Sequence, residues 1–142
     1  RQKSHIDGPC SRFFIRRLSS GRLLMINHYK FSHRIDLDDI MRQGNVKRWQ
    51  GRSHLTAMLS EDDGATWPYT LLLDERDEVS YPDAKEADDG YIYVTYDHQR
   101  VTKREILMAR FTEQDILAGR LQSSRSTLRI LVNKALGQPD IH

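Results

Sequence analysis

Short apolar runs alternate with polar turn segments along most of the chain, and this pattern predicts an all-β fold. The first runs are rich in Phe, Ile, Leu and Met. Two of them flank Ser19, Ser20 and Gly21, a connection typical of a hairpin. Strands of this first group are predicted at residues 12–18, 22–28, 55–59 and 69–73. They form one four-stranded unit over residues 11–74.

The same pattern restarts after an acidic connection at residues 74–78. A turn at Asp88, Asp89 and Gly90 separates two runs of β-forming residues, and Thr112 and Gly119 are typical caps of a short helix. The second unit covers residues 78–134, with strands predicted at residues 79–85, 91–96, 105–111 and 128–133 and a helix at residues 112–118.

The two units align with each other at a spacing of roughly 65 residues, which exceeds the ~40–50 residues of a propeller blade repeat. The surplus fits an ordered insertion at residues 30–50, where residues 36–43 predict one or two turns of helix. Two blades cannot close a ring. We therefore expect the chain to be a portion of a longer protein and to associate with the remaining blades of its own domain.

Residues 60–67 read SEDDGATW, which matches the Asp-box pattern of Ser, Asp, Gly, Thr and Trp at every defined position. In such a turn the Asp accepts backbone hydrogen bonds, the Gly supplies a positive φ, and the aromatic ring packs against the hairpin. Ser60, Asp62, Gly64, Thr66 and Trp67 are therefore predicted to be structural.

Together with "GRLLMINH" before it and "VSYPDAKEADDGYIYVTYDHQR" after it, this motif resembles the sialidase (neuraminidase) superfamily, in particular bacterial BNR-repeat sialidase-like proteins. The resemblance covers nearly all of residues 1–142. It implies a six-bladed β-propeller, of which this chain supplies about the last two blades. It also implies cleavage of terminal sialic acids without a cofactor. In that chemistry arginines bind the sugar carboxylate, a Tyr activated by a Glu is the nucleophile, and an Asp is the acid/base.

Three arginines are candidates for binding the carboxylate, because a guanidinium group pairs with it through two parallel hydrogen bonds. Arg52 lies just before the third strand of the Asp-box unit, and Arg12 opens the first strand. Arg100 follows "YDHQ" and is the third candidate. The alternatives are a solvated arginine for Arg52 and a salt bridge to Asp97 for Arg100.

Tyr81 lies where the resemblance implies a nucleophile, but Pro82 follows it in place of the usual small polar residue. Packing at the rim of a blade is the alternative role for Tyr81. Asp83 in the same strand faces the propeller axis or caps a turn. No Glu partner for Tyr81 and no acid/base Asp can be assigned from this sequence.

Asp97 and His98 end the second strand of their unit, and His28 ends the equivalent strand of the first unit. These side chains are placed either to hydrogen-bond sugar hydroxyls or to satisfy the ends of the strands. The sequence holds no spacing of His, Cys or acidic residues typical of a catalytic metal site, so no metal is predicted.

Charge and composition narrow the function classes. The net charge is +2, and residues 1–52 are basic whereas residues 53–119 are acidic. The arginines are spread through predicted strands instead of forming a basic run, which argues against nucleic acid as the ligand. No apolar run reaches the roughly 18 residues of a membrane span. Cys10 is the single cysteine and fits either redox environment, so the compartment stays open, with a secreted or periplasmic location in a bacterium as a candidate.

These features predict a sialidase-like glycoside hydrolase acting on terminal anionic sugars of glycans. One alternative is another carbohydrate-active enzyme on the same propeller, because a fold does not fix its chemistry. The other is a non-catalytic propeller that binds a glycan or a protein and keeps the Asp-box for folding.

Overall fold

The computed structural model describes residues 6, 8–9, 11–29 and 52–136. These residues form two four-stranded antiparallel sheets, with strand orders β1-β2-β3-β4 (sheet 1) and β5-β6-β7-β8 (sheet 2). The strands are β1 (Phe14–Arg17), β2 (Leu23–His28), β3 (Leu55–Ser60), β4 (Tyr69–Asp74), β5 (Val79–Glu86), β6 (Tyr91–His98), β7 (Glu105–Thr112) and β8 (Thr127–Lys134), and one helix, α1 (Glu113–Ala118), follows β7.

The all-β fold predicted from the sequence is confirmed. Each predicted strand has a counterpart whose ends differ by at most two residues. Neighbours in the sequence are neighbours in each sheet, which is the up-and-down order of a propeller blade, and two such sheets are consistent with part of a propeller. The helix predicted at residues 36–43 and Cys10 lie outside the described residues.

The core lies between the two sheets and follows the period of two that a strand imposes on its side chains. In β2, Leu24 and Ile26 face the core, and in β6 the alternate residues Ile92, Val94 and Tyr96 do the same. All five side chains are almost completely buried. This alternation, already visible in the sequence, is what fixes the register of each strand against the core.

The short helix α1 begins with a capping box. The Thr112 hydroxyl accepts from the Asp115 N–H, and the Asp115 carboxylate accepts from the Thr112 N–H. Burial opposes ionisation of Asp115, but hydrogen bonds from Ser126 and from three backbone N–H groups outweigh it and lower the pKa of Asp115 to about 2. Gly119 ends the helix at φ +71°. Asp115 thereby ties the helix to the segment that leads into β8.

The outer face of sheet 1 carries an apolar groove of about 550 Å³ whose lining includes Phe13, Ile15, Met25 and Trp67. Phe13 and Ile15 are about half exposed. Exposed apolar surface of this kind is expected where a sheet packs against another element. Association with the remaining blades of the domain stays a prediction.

The connections between strands fall at two opposite ends of the sheets. We call the end with the β1–β2, β3–β4 and β5–β6 turns the turn end; it holds the Asp-box and the turn glycines Gly21 and Gly90. The other end, where β2 and β6 finish and β3, β5 and β7 begin, is called the site end. The described residues contain no helix with the length and apolar character needed to cross a bilayer.

Candidate functional site

The Asp-box forms a self-contained turn at the turn end. The Ser60 hydroxyl donates to Asp62 Oδ1 (2.8 Å) and accepts from the Gly64 N–H (2.9 Å). The two Asp62 oxygens accept from the N–H (2.8 Å) and hydroxyl (2.6 Å) of Thr66, and these bonds lower the pKa of Asp62 to about 2. Gly64 has φ +89°, and a Cβ there would lie 3.5 Å from the Trp67 ring. The hydroxyl of Ser60 and the carboxylate of Asp62 are both used within the turn itself, which fits a structural role.

Three of the predicted site residues meet at the site end. Arg52 precedes β3, Tyr81 lies in β5 and Arg100 follows β6. The Cζ atom of Arg100 lies 4.0 Å from the centroid of the Tyr81 ring, and Cζ of Arg52 lies 5.6 Å from it. A shallow pocket beside them is lined by Arg52, Glu78, Ser80, Arg100 and Val101. Two guanidinium groups therefore lie close to one partly exposed aromatic ring.

Asp97 and Ser80 fix the orientation of Arg100. Nε and Nη2 of Arg100 donate to Asp97 Oδ2 at 2.9 and 2.5 Å, and the Ser80 hydroxyl donates to Asp97 Oδ1 at 2.6 Å. Ser80 and Asp97 are buried. The hydrogen bonds that Arg100 donates to Asp97 are the largest cause that raises the pKa of Arg100. The salt bridge foreseen as the alternative role of Arg100 is present, and it coexists with the contact to Tyr81.

The backbone of Tyr81 is strained. Its φ is +56°, in the left-handed region that side chains disfavour, and the pairing of β5 with β6 shifts register between Ser80 and Asp83. Pro82 adds a second penalty, because a residue before proline prefers extended backbone. Such a conformation costs about 1–3 kcal/mol and persists only where its surroundings enforce it. Asp83 itself is exposed and accepts from the Ala84 N–H (3.0 Å), so its catalytic role stays a prediction.

Other non-glycine residues with positive φ also collect at the site end. They are His54, Glu78, Gln99 and Arg104, with φ between +48° and +61°. Strained backbone is enriched at functional sites, because the conformation of the loops there serves ligand binding and not the local backbone preferences of their residues. The site end thus differs from the turn end, where the turn glycines carry most of the positive φ angles.

His28 and Arg52 hold the first residue of β5 from the side of sheet 1. The Val79 N–H donates to the Arg52 carbonyl (3.0 Å), and the His28 Nε2–H donates to the Val79 carbonyl (2.7 Å). His28 is 1% exposed. Burial is the main cause that lowers the pKa of His28, and the charge of Arg52 lowers it further while the bond to Val79 opposes both. A neutral His28 therefore sets the position of β5 two residues before Tyr81.

The remaining predicted site residues lie in different surroundings. His98 is 2% exposed, and its Nδ1 is 2.8 Å from Glu105 Oε2, which places it at a strand end satisfied by a protein partner. Arg12 is exposed beside β1, and no contact joins it to Tyr81 among the described residues. Sugar binding by His98, Asp97 and Arg12 stays a prediction.

A buried carboxylate network near the site end was not foreseen from the sequence. Asp74, at the end of β4, is 0% exposed and accepts from Arg76 Nε (2.9 Å) and Nη2 (2.7 Å) and from the Tyr96 hydroxyl (2.9 Å). Arg129 Nε from β8 lies 3.7 Å from it. Asp74 thereby joins sheet 1 to two strands of sheet 2. The signal in the sequence was the Asp74-Glu75-Arg76 run that follows an apolar strand, but its partner Tyr96 is 22 positions away.

A family model described as a BNR repeat-like domain matches residues 3–94, which is well over half of the chain. The chain belongs to the BNR repeat-like domain family. The matched part of the BNR repeat-like chain contains the Asp-box, all of sheet 1, and both Arg52 and Tyr81. Neither the curated proteins nor the solved structures gave a match.

In the described part of the chain, no group of three or more His, Cys, Asp or Glu side chains is arranged to bind a metal ion. Sequence reasoning named Arg52, Tyr81, Arg100 and Asp97 but missed Ser80, whose hydroxyl completes the hydrogen bonding of Asp97. A lone Ser in a strand gives no sequence signal, because only the antiparallel pairing of β5 with β6 brings it opposite Asp97.

Proposed function

We propose that the protein is a sialidase-like glycoside hydrolase that acts on terminal anionic sugars of glycans. The observation that carries this proposal is the convergence of Arg52 and Arg100 on Tyr81 at the site end. A guanidinium group recognises a carboxylate through paired, charge-assisted hydrogen bonds. A phenol is a suitable nucleophile for an anionic sugar, because it approaches without the repulsion that a carboxylate would meet.

In this proposal Arg52 and Arg100 bind the sugar carboxylate and Tyr81 attacks the anomeric carbon. Arg52 is only 7% exposed, so water screens its charge less than it screens the charge of a surface arginine. Membership of the BNR repeat-like family supports the scaffold, whereas the activity rests on these side chains.

A second candidate function is glycan binding without hydrolysis. It is favoured by one observation. Among the described residues, no carboxylate accepts a hydrogen bond from the Tyr81 hydroxyl, as the base of a nucleophilic Tyr would. The same cationic and aromatic surface would then hold an acidic sugar without cleaving it.

The test is hydrolysis of a fluorogenic α-sialoside, with uronic and neutral glycosides as a comparison panel. The variants are Tyr81→Phe, which removes the nucleophilic oxygen, and Arg52→Gln, which removes the charge. Tyr91→Phe is the matched control, because Tyr91 also lies under an arginine, with Arg125 Cζ 4.7 Å from its ring, but at the turn end.

We expect sialoside hydrolysis that Tyr81→Phe abolishes and that Tyr91→Phe leaves unchanged. Arg52→Gln is expected to lower kcat/KM by about tenfold to 100-fold, since a hydrogen bond to a charged group contributes about 1.5–3 kcal/mol. Cleavage of neutral glycosides alone, or full activity of Tyr81→Phe, would contradict the proposal. Sialoside binding without turnover would establish the second candidate instead.

A further inference from the structure

Local preferences do not account for the conformation of Tyr81. A positive φ is disfavoured for a side chain of this size, and the following Pro82 disfavours it again. The residues on either side are fixed independently, since Val79 is held by His28 and Arg52, and Asp83 is back in register opposite Thr95. Contacts of the Tyr81 ring add to the pairing on either side in holding the bulge in this shape.

Those contacts link four side chains in series. The Arg100 guanidinium lies over the Tyr81 ring, Asp97 binds Arg100 through two nitrogens, and Ser80 binds the other oxygen of Asp97. Ser80 also precedes Tyr81 in β5, so the backbone of β5 connects the first and last of these four residues. Ser80 and Asp97 are both buried, whereas Tyr81 and Arg100 are partly exposed. The two buried side chains can therefore fix the positions of the two exposed ones.

We infer that Asp97 and Ser80 are positioning residues, which act through Arg100 to hold the strained Tyr81 side chain at the site end. The inference rests on the proposed function only for the nature of the ligand. It differs from a simple electrostatic view of the site. Removing the negative charge of Asp97 would strengthen anion binding if Asp97 only neutralised Arg100, but it weakens binding if Asp97 positions the site.

The first experiment observes Tyr81 directly. The protein is labelled with 3-fluorotyrosine, and the Tyr81 signal among the six tyrosines is assigned with Tyr81→Phe. Asp97→Asn keeps the shape of the side chain and is expected to shift and broaden the Tyr81 fluorine resonance under conditions in which urea unfolding shows the variant to be fully folded. Asp89→Asn is the matched control, because Asp89 pairs with Arg125 over Tyr91 at the turn end. A Tyr81 resonance that is identical in Asp97→Asn and the parent would overturn the inference.

The second experiment measures binding of the methyl α-glycoside of N-acetylneuraminic acid. Asp97→Asn is expected to weaken binding about tenfold although it makes the site more positive, and Asp89→Asn, with the same change of charge, is expected to have no effect. Asp97→Glu should restore part of the affinity, and Ser80→Ala should reproduce part of the loss. Tighter binding by Asp97→Asn would overturn the positioning role. If the parent protein does not bind the sialoside, the proposed function fails, and the fluorine signal alone decides the inference.

Discussion

Replacing Tyr96 by Phe tests how much the buried carboxylate network holds the two sheets together. The Tyr96 hydroxyl, 2% exposed, donates to Asp74 Oδ2 at 2.9 Å, and Asp74 is fully buried. The Phe ring fills the same space, so the change removes one hydrogen bond without a cavity. A hydrogen bond to a charged group contributes about 1.5–3 kcal/mol, and Arg76 still binds the same oxygen at 2.7 Å, so we expect a loss of about 1.5–2 kcal/mol.

The pH dependence of this loss follows from the ionisation of Asp74. Burial raises the pKa of Asp74, but hydrogen bonds from Arg76 and Tyr96 outweigh it and leave the pKa below its ordinary value. A group whose pKa is lower in the folded state contributes stability above its unfolded pKa of about 3.9, and this contribution is lost as the pH falls below that value. The difference between parent and variant should therefore be full at pH 7 and should shrink below pH ~4.

The assay is urea-induced unfolding of parent and variant at pH 7 and at pH 3, followed by tryptophan fluorescence. Tyr91→Phe serves as the control, because the Tyr91 hydroxyl meets only an exposed backbone N–H at 3.3 Å and its loss is expected to cost under ~0.5 kcal/mol. Equal stability of parent and Tyr96→Phe at pH 7, or a difference that does not change between the two pH values, would refute the reasoning.

Three further predictions concern single residues. Asp62→Ala should lower the thermal unfolding midpoint at pH 7 but not near pH 2. The reason is that the pKa of Asp62 is about 2 and the hydrogen bonds it accepts from Thr66 depend on the ionised carboxylate. Thermal unfolding at the two pH values checks this. The parent should lose stability as the pH falls below about 6.5, because the pKa of His28 is lowered in the folded state. In His28→Gln the unfolding free energy should no longer fall with pH in this range; an unchanged dependence would assign the effect to other groups. Gly119→Ala should lower the free energy of unfolding in urea by about 1 kcal/mol, because φ is +71°. The new Cβ itself has room, since its nearest neighbour is the Thr70 carbonyl oxygen at 3.5 Å. An unchanged free energy would show that the end of the helix relaxes.

In this BNR repeat-like protein, residues close together in the sequence determine where the strands and turns form. The period-two alternation places Leu24 and Ile26 on the core side whatever the neighbouring sheet is, because strand geometry alone turns alternate side chains to the same face. The Asp-box and the Thr112 and Gly119 caps are local as well, since every hydrogen bond within them joins residues at most four positions apart. Such elements were predictable because the hydrogen bonds that define them join residues close together in the sequence.

The tertiary structure alone decided how the candidate site is assembled. Arg52 precedes a strand of sheet 1 and Tyr81 lies in a strand of sheet 2. Ser80 meets Asp97 only through the pairing of β5 with β6. Local rules even predict the wrong backbone for Tyr81, because a bulky residue before Pro82 prefers extended conformation. Contacts with Arg100, which Asp97 holds, offset that preference. Long-range contacts of this kind leave no periodic trace in the sequence, so the residues could be named in advance but their arrangement could not.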